Sequence, residues 1–281
     1  MRLANLGGRL VLVDGSRALD VATASEGRFG PHPLDAYRDW DAFVEWASAA
    51  DVSSGNPYGS NDLGCPVPDP SQVFGIGLNY ADHAAEAGMP LPDSPMVFTK
   101  FASCLTGPTG EIPLVPGKVD WEAELVVVIG RGGRGISVED ALDHVAGLTV
   151  GQDVSERALQ TAGANAQFNL GKSHDRFGPI GPVVVTLDEL ADPHDLAIGC
   201  SLDDQTVQDS RTSQMVFGIA ELVSYLSRVV ELRGGDVIFT GTPPGVGVGR
   251  SPQRFVVDGE VLTTWIEGIG EMRHRFVAPA R

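Results

Sequence analysis

The sequence is poor in lysine and in long apolar runs, and basic residues are outnumbered by acidic ones. Only three of its 20 basic residues are lysines, namely Lys100, Lys118 and Lys172. With 37 acidic residues, the formal net charge of −17 argues against a general binder of nucleic acids or anionic membranes. The longest uninterrupted apolar run, residues 125–129, is far shorter than the roughly 20 residues of a membrane-spanning helix. We expect neither nucleic acid nor membrane as a partner.

Cysteine is scarce as well, and its three positions, Cys65, Cys104 and Cys200, lack the spacing of a metal site. An odd number of cysteines predicts reduced thiols. The N-terminal residues resemble a strand more than a secretory leader, so we expect a cytoplasmic location.

Several catalytic and nucleotide-binding motifs are missing. Gly75-Ile-Gly77 follows a predicted strand, but Tyr80 stands where a dinucleotide fingerprint needs its third glycine. Residues 166–173 lack the first glycine of a phosphate-binding P-loop. The chain contains no G-x-S-x-G and no H-E-x-x-H, so serine hydrolase and zincin mechanisms lack their usual anchors.

Glycine and proline are abundant, with 35 and 19 copies, which favours many strands and turns over long helices. Residues 1–22 are typical of a β-meander, and the hydrophobic spacing predicts an amphipathic helix over 34–50. We expect a mixed α/β fold that is mostly β, with a small N-terminal domain at 1–69 and a catalytic domain at 70–281. Further helices are predicted at 138–145 and 219–230, and strands at 73–78, 96–99, 125–129, 183–186 and 236–240.

Glu122 and Glu124 lie two residues apart at the start of a very apolar strand, so both carboxylates point to one side. Such a pair would repel unless a cation or proton intervenes, and oxygen ligands select hard ions such as Mg²⁺ or Mn²⁺. The alternative is a solvated strand end. Asp153 either supplies a third oxygen or forms an ion pair with Arg157, because Asp153, Arg157 and Gln160 would share one face of a helical turn.

Other candidates carry alternatives of the same kind. Lys172 either stabilises negative charge on a substrate or is an ordinary surface lysine. His83 and Glu86, three residues apart, form either a general base with its orienting carboxylate or a surface ion pair. The loop that contains Gly241 and Thr242 could cradle a carboxylate, or it could be a plain turn.

The order of these motifs resembles the fumarylacetoacetate hydrolase family over roughly residues 70–275. The matching segments are Gly75 with 79–86, 119–125, 153–160, 171–173 and 240–247. The resemblance implies a mixed β-sandwich roll that holds one Mg²⁺ or Mn²⁺ ion. It does not extend to the N-terminal part, which its own turn and strand pattern predicts to be a β-rich appendage. One departure concerns residues 167–170, which include Phe168 and precede Gly-Lys-Ser where a tryptophan often stands. We therefore expect a substrate pocket that differs from those of familiar members.

Residue by residue, the resemblance implies metal ligands at Glu122, Glu124 and Asp153 and a catalytic dyad of His83 and Glu86. It also implies a catalytic role for Lys172 and substrate contacts from Arg157, Gln160, Gly241 and Thr242.

The resemblance further implies a homodimer that acts on a small 2-oxo acid. The leading expectation is a hydrolase that cleaves a C–C bond of a 2,4-dioxo acid, of acylpyruvate or fumarylpyruvate type, through a metal-bound enolate. An oxaloacetate decarboxylase or a 2-hydroxymuconate-type isomerase is the alternative on the same scaffold. The last alternative is a non-catalytic protein that retains the fold.

Overall fold

The computed structural model describes residues 1–82, 91–164 and 166–278. Its helices within these ranges are short: α1 (Val21–Ala24), α2 (Trp40–Ser48), α3 (Arg157–Gln160), α4 (Phe168–Gly171) and α5 (Ile219–Ser227). Its strands are β1 (Arg2–Leu6), β2 (Arg9–Asp14), β3 (Arg17–Asp20), β4 (Asn56–Pro57), β5 (Leu63–Gly64), β6 (Val73–Gly77), β7 (Met96–Thr99), β8 (Leu105–Thr106), β9 (Thr109–Pro113), β10 (Val119–Asp120), β11 (Ala123–Ile129), β12 (Val145–Gln152), β13 (Ser155–Glu156), β14 (Gly178–Val185), β15 (Ala197–Leu202), β16 (Gln205–Arg211), β17 (Val237–Phe239), β18 (Val261–Ile266) and β19 (Gly270–Val277).

Two open sheets carry most of the strands. The larger one runs β4-β3-β2-β1-β14-β12-β11-β17-β6-β7, with β5 beside β1 and β8 beside β14. The smaller one runs β16-β15-β18-β19-β9. Most pairs are antiparallel, but β17 with β6, β19 with β9 and β14 with β8 are parallel. The predicted mostly β architecture of mixed connectivity is confirmed.

The strand β11 lies at the centre of the molecule and is buried along its whole length. Leu125 and Val127 belong to the core between the two sheets, while Val126 and Val128 belong to a second core on the other face. That second core is closed by α2, whose Phe43 packs into it. Burial on both faces explains why this strand is a nearly continuous apolar run.

The helix predicted at 219–230 is confirmed as α5, but the one predicted at 138–145 is wrong. A single 3-10 turn covers Ala141–His144, and Val145 already belongs to β12, where it pairs with Ile129. A segment this short gains little from helical hydrogen bonds alone, so pairing with the central strand prevails. The helix predicted over 34–50 is divided into a 3-10 turn, Pro33–Tyr37, and α2.

The N-terminal strands extend the large sheet through β1, where Arg2 and Leu3 pair with Val185 and Val184 of β14. Whether residues 1–69 form a separate domain stays a prediction. All three cysteines are buried and free, as expected for reduced thiols. Among the described residues, no helix has the length and apolarity to cross a bilayer.

The imidazole of His274 is buried in β19, with a residue exposure of 1%. Its Nε2 lies 2.9 Å from the carbonyl oxygen of Gly107, so the neutral ring donates a hydrogen bond there. Its Nδ1 has no partner among the described atoms. Burial lowers the pKa of His274 from 6.5 to about 4.

We expect His274 to make the protein sensitive to acid. The unfolded imidazole takes up its proton near pH 6.5, whereas the folded one does so only near pH 4, so stability present above pH 6.5 is lost as the pH falls toward 4. Between pH 7.5 and 4.5, the free energy of unfolding should therefore fall by about 2–3 kcal/mol more in the wild type than in His274→Gln. Urea unfolding of both proteins at each pH measures the difference, and parallel pH profiles would contradict the prediction.

Candidate metal centre and active site

Three buried carboxylates meet where β11 begins and β12 ends. Glu124 lies on β11 opposite Gly151, Glu122 precedes that strand, and Asp153 follows the last residue of β12. The Asp153 N–H donates to the carbonyl oxygen of Glu122 over 2.9 Å, which ties the two chain segments together. Carboxylate oxygens of Glu122, Glu124 and Asp153 lie within 4.8 Å of one another. Because β11 and β12 are antiparallel, the start of one lies beside the end of the other. Asp153 therefore meets Glu122 and Glu124 although it follows them by some 30 residues in the sequence.

The donor set fits a hard divalent cation. All three ligand groups are oxygens, and all three side chains are buried. Burial, followed by the charges of Asp153 and Glu122, raises the pKa of Glu124 well above its usual range. A carboxylate in this position therefore needs a positive charge, or a proton, to be stable. Its Oε2 also accepts a hydrogen bond from the Gly241 N–H at 2.8 Å.

Lys172 lies directly on this carboxylate cluster. Its Nζ is 2.7 Å from Glu122 Oε2, 2.5 Å from Asp153 Oδ2 and 2.9 Å from the hydroxyl of Ser155. Burial alone would lower the pKa of Lys172, but the charges of Asp153 and Glu122 outweigh it, so the pKa is raised. Asp153 and Glu122 therefore favour the ammonium form of Lys172.

Lys100 is a site residue that the sequence reasoning missed. Its ammonium is fully buried, 2.7 Å from Asp153 Oδ1, and it donates to the backbone carbonyls of Lys172 and Phe177. Lys100 thus contacts both Asp153, a predicted metal ligand, and the backbone of Lys172. The rarity of lysine was the available signal, but the sequence does not tell which lysines are buried.

Arg157 connects the carboxylate cluster to a second buried acid, Asp120. Its guanidinium contacts Glu122 Oε1 at 2.7 Å and Asp120 Oδ2 at 2.8 Å, and it donates to Gln160 Oε1 at 3.0 Å. Arg157 and Gln160 therefore share one turn, α3, as predicted. Asp153, however, is not on that helix, because β13 intervenes, and its contacts are with lysines and not with Arg157.

The loop after β17 is held by hydrogen bonds to the same strands. The Thr242 hydroxyl donates to the carbonyl oxygen of Ala123 at 2.9 Å and accepts from Gln208 at 2.8 Å. Asp120 accepts the N–H groups of Gly247 at 2.7 Å and Val248 at 2.9 Å. The loop is therefore positioned by the protein itself and is not a free turn.

A cavity of about 140 Å³ opens onto the centre. Larger clefts, of about 310, 610, 860 and 910 Å³, lie elsewhere, and none of these is lined by a predicted site residue. The candidate site is therefore assigned to the small cavity because of the residues that line it, and not because of its volume. His83 and Glu86 lie outside the described residues. The cavity is lined by six of the predicted site residues, namely Glu122, Glu124, Arg157, Gln160, Lys172 and Thr242.

Comparison with known proteins agrees with this geometry. The family model described as fumarylacetoacetate (FAA) hydrolase C-terminal matches residues 72–277. The chain belongs to the fumarylacetoacetate hydrolase family. Of its relatives, oxaloacetate tautomerase FAHD2A, mitochondrial, from Bos taurus is 47% identical over 214 residues, which cover 75% of this chain and 68% of the relative.

Two crystal structures of family relatives match the whole chain. One from Mycobacterium smegmatis, provisionally assigned as an HpcE protein, is 55% identical with a TM-score of 0.96, and the match covers 100% of both chains. Maleylpyruvate hydrolase from Sphingobium sp. SYK-6, in complex with manganese(II) and pyruvate, is 30% identical with a TM-score of 0.81, again over 100% of both chains. A family member therefore binds Mn²⁺ and a 2-oxo acid.

Replacement of Glu124 tests the metal centre. We expect Glu124→Gln to weaken the binding of Mn²⁺ by at least about 100-fold, because removal of a ligand costs more than removal of a group that only orients one. Without metal, the variant should unfold at no lower temperature than the wild type at neutral pH, since glutamine resembles the protonated acid that the raised pKa favours. Calorimetric titration with Mn²⁺ and thermal unfolding measure the two effects.

The matched control is Glu271→Gln, an identical change at an exposed position of β19, which should leave Mn²⁺ binding unchanged. Undiminished Mn²⁺ binding in Glu124→Gln would contradict the assignment of the ligands.

Proposed function

We propose that the protein is a divalent-metal-dependent enzyme that interconverts the keto and enol forms of a small 2-oxo acid, with an oxaloacetate-type diacid as substrate. The observation that carries the proposal is the buried carboxylate cluster of Glu122, Glu124 and Asp153, with the Lys172 ammonium on it, in a cavity of about 140 Å³. The tautomerase relative at 47% identity supports the same reaction.

The three carboxylates would hold Mg²⁺ or Mn²⁺. When bound, such an ion polarises the 2-oxo group of the substrate and favours removal of a proton from the neighbouring carbon. Lys172, kept protonated by Asp153 and Glu122, places a positive charge where negative charge develops on the substrate oxygen. Arg157 and Gln160 line the same cavity and orient the substrate carboxylate.

Tautomerisation requires little else of the site. A proton leaves the carbon next to the 2-oxo group and a proton arrives on the oxygen, or the reverse, so no water or second substrate takes part. The proton acceptor in this proposal is the His83 and Glu86 pair, which rests on the sequence resemblance alone.

Hydrolysis of a 2,4-dioxo acid is the second candidate. It is favoured by the full-length match to a maleylpyruvate hydrolase that holds Mn²⁺ and pyruvate. In that reaction, the His83 and Glu86 pair would take a proton from water, which attacks the distal carbonyl, and Lys172 would stabilise the departing enolate. Decarboxylation would use the same cation with loss of CO₂.

The homodimer and the cytoplasmic location remain predictions. The bovine relative is a mitochondrial protein.

Lys172 should be required for turnover. We expect Lys172→Met to lower kcat for enol–keto conversion of oxaloacetate by about 10²–10³-fold, the usual loss when a group that stabilises a developing oxyanion is removed. The decay of enol absorbance with added Mg²⁺ or Mn²⁺ measures the rate. Lys118→Met, the same change at an exposed lysine, is the control. Equal rates in both variants would remove Lys172 from the reaction.

A product assay distinguishes the candidate reactions. Oxaloacetate and acetylpyruvate are incubated with the Mn²⁺-loaded protein in D₂O, with EDTA as control. Tautomerisation predicts deuterium at the carbon next to the 2-oxo group and no other product. Pyruvate with acetate would indicate hydrolysis, and CO₂ release would indicate decarboxylation. If neither substrate changes above the EDTA rate, the proposed function is wrong.

His83→Ala tests whether His83 moves the proton without binding the metal. The variant should keep Mn²⁺ affinity, since the ligands are elsewhere, and should lower the deuterium exchange rate by about 10²–10⁴-fold if His83 moves the proton. Exchange at the wild-type rate would mean that another group accepts it.

A further inference from the structure

The glycines of β6 leave room for the side chains of the neighbouring strand. Gly75 and Gly77 pair with Phe98 and Met96 of β7. A Cβ atom on Gly75 would lie 2.3 Å from Cζ of Phe98, and one on Gly77 would lie 2.3 Å from Cε of Met96. The motif that fails as a nucleotide fingerprint thus has another use, because it allows two bulky side chains to lie flat across β6.

These side chains and Phe168 form an apolar wall of the active-site cavity, which we define as Met96, Phe98 and Phe168. The rings of Phe98 and Phe168 meet edge to face, with centroids 5.7 Å apart. The Asn169 amide donates to the Thr99 hydroxyl at 3.0 Å, which attaches α4 to β7.

Phe98 also supports the chemistry, because the Lys172 ammonium lies 5.0 Å from its ring centroid. Met96 and Phe168 have no such contact with Lys172, and both are half-buried. The residue type at these two positions can therefore change without loss of a contact to Lys172.

The wall has little room to retreat. Met96 lies against Gly77, and Phe168 is fixed between Phe98 and the hydrogen bond of its own helix to β7. The cavity of about 140 Å³ is close to the roughly 150 Å³ of an engineered cavity that holds benzene in another protein. A small 2-oxo acid therefore fits this cavity.

We propose that Met96 and Phe168 set the length of the substrate, by admitting a 2-oxo acid with a short tail and excluding longer chains. This inference rests on the proposed function for the nature of the head group. Each methylene that meets the wall costs about a factor of 10 or more, the discrimination that apolar pockets achieve per methylene.

The test uses binding, which is independent of turnover. Pyruvate, 2-oxobutanoate, 2-oxopentanoate and 2-oxohexanoate are titrated into the Mn²⁺-loaded protein in a calorimeter. For the wild type, we expect Kd to rise at least about 100-fold from 2-oxobutanoate to 2-oxohexanoate, which differ by two methylenes. In Phe168→Ala and in Met96→Ala the rise should disappear, with Mn²⁺ affinity unchanged.

Each variant has a matched control on its own element. Leu170→Ala changes a residue of α4 that is 60% exposed, and Val97→Ala changes a residue of β7 that is 39% exposed. Both controls should keep the wild-type dependence on length. A wild-type Kd that does not rise with length would overturn the inference, as would a Phe168→Ala variant that behaves like Leu170→Ala.

Together with the deuterium-exchange assay on the same four 2-oxo acids, these titrations separate this inference from the proposed function. Length-dependent binding without deuterium exchange would support the limit and contradict the tautomerase. Exchange at equal rates for all lengths, with equal Kd, would support the function and contradict the limit. If no 2-oxo acid binds in the presence of Mn²⁺, both are wrong.

Discussion

The site depends on the balance of buried charge around Asp153 and Glu122. In the described part of the chain, four buried carboxylates, including Asp120, face three buried cations, Lys100, Lys172 and Arg157. Ion pairs this deep are stable only when each partner is held in place, because a single unpaired charge there is costly. The carboxylate in excess is Glu124, and burial together with its acidic neighbours raises its pKa, which favours the protonated form. A divalent cation would reverse the sign of the cluster and prepare it for an anionic substrate.

The sheet provides the geometry for this balance. The β11 and β12 ladder brings Glu124 opposite Gly151, and Asp153 follows one residue beyond the ladder. Because β11 is buried on both faces, its position is fixed by two cores at once. The packing of the apolar residues of β11 thus fixes the position of Glu124 at the start of the strand. The sequence of the strand therefore encodes both the core and the site.

The spacing of Glu122 and Glu124 and the glycine beside Lys172 are local signals that made these residues candidates. The family resemblance then selected the site over a solvated strand end and a surface lysine. The sequence did not predict Lys100, because burial of a single lysine depends on tertiary packing. β12 was partly mistaken for a helix, since its pairing with β11 is a long-range contact that local propensity does not record. The strands β15, β16, β18 and β19 were missed, although β19 alternates buried Met272, His274 and Phe276 with exposed residues.

Arg157 has a consequence for how this protein can change. Its guanidinium contacts Glu122, a predicted metal ligand, and also Asp120, which accepts hydrogen bonds from the amides of Gly247 and Val248. The loop and the predicted ligand therefore share one cation. Loss of any one member leaves an opposite charge buried without its partner, whereas loss of a matched pair does not. The energetic effects of substitutions along this chain of contacts are therefore not additive. Viable variants of the site are expected to replace an acidic residue and its basic partner together. The residues of this chain of contacts should therefore change jointly and not one at a time.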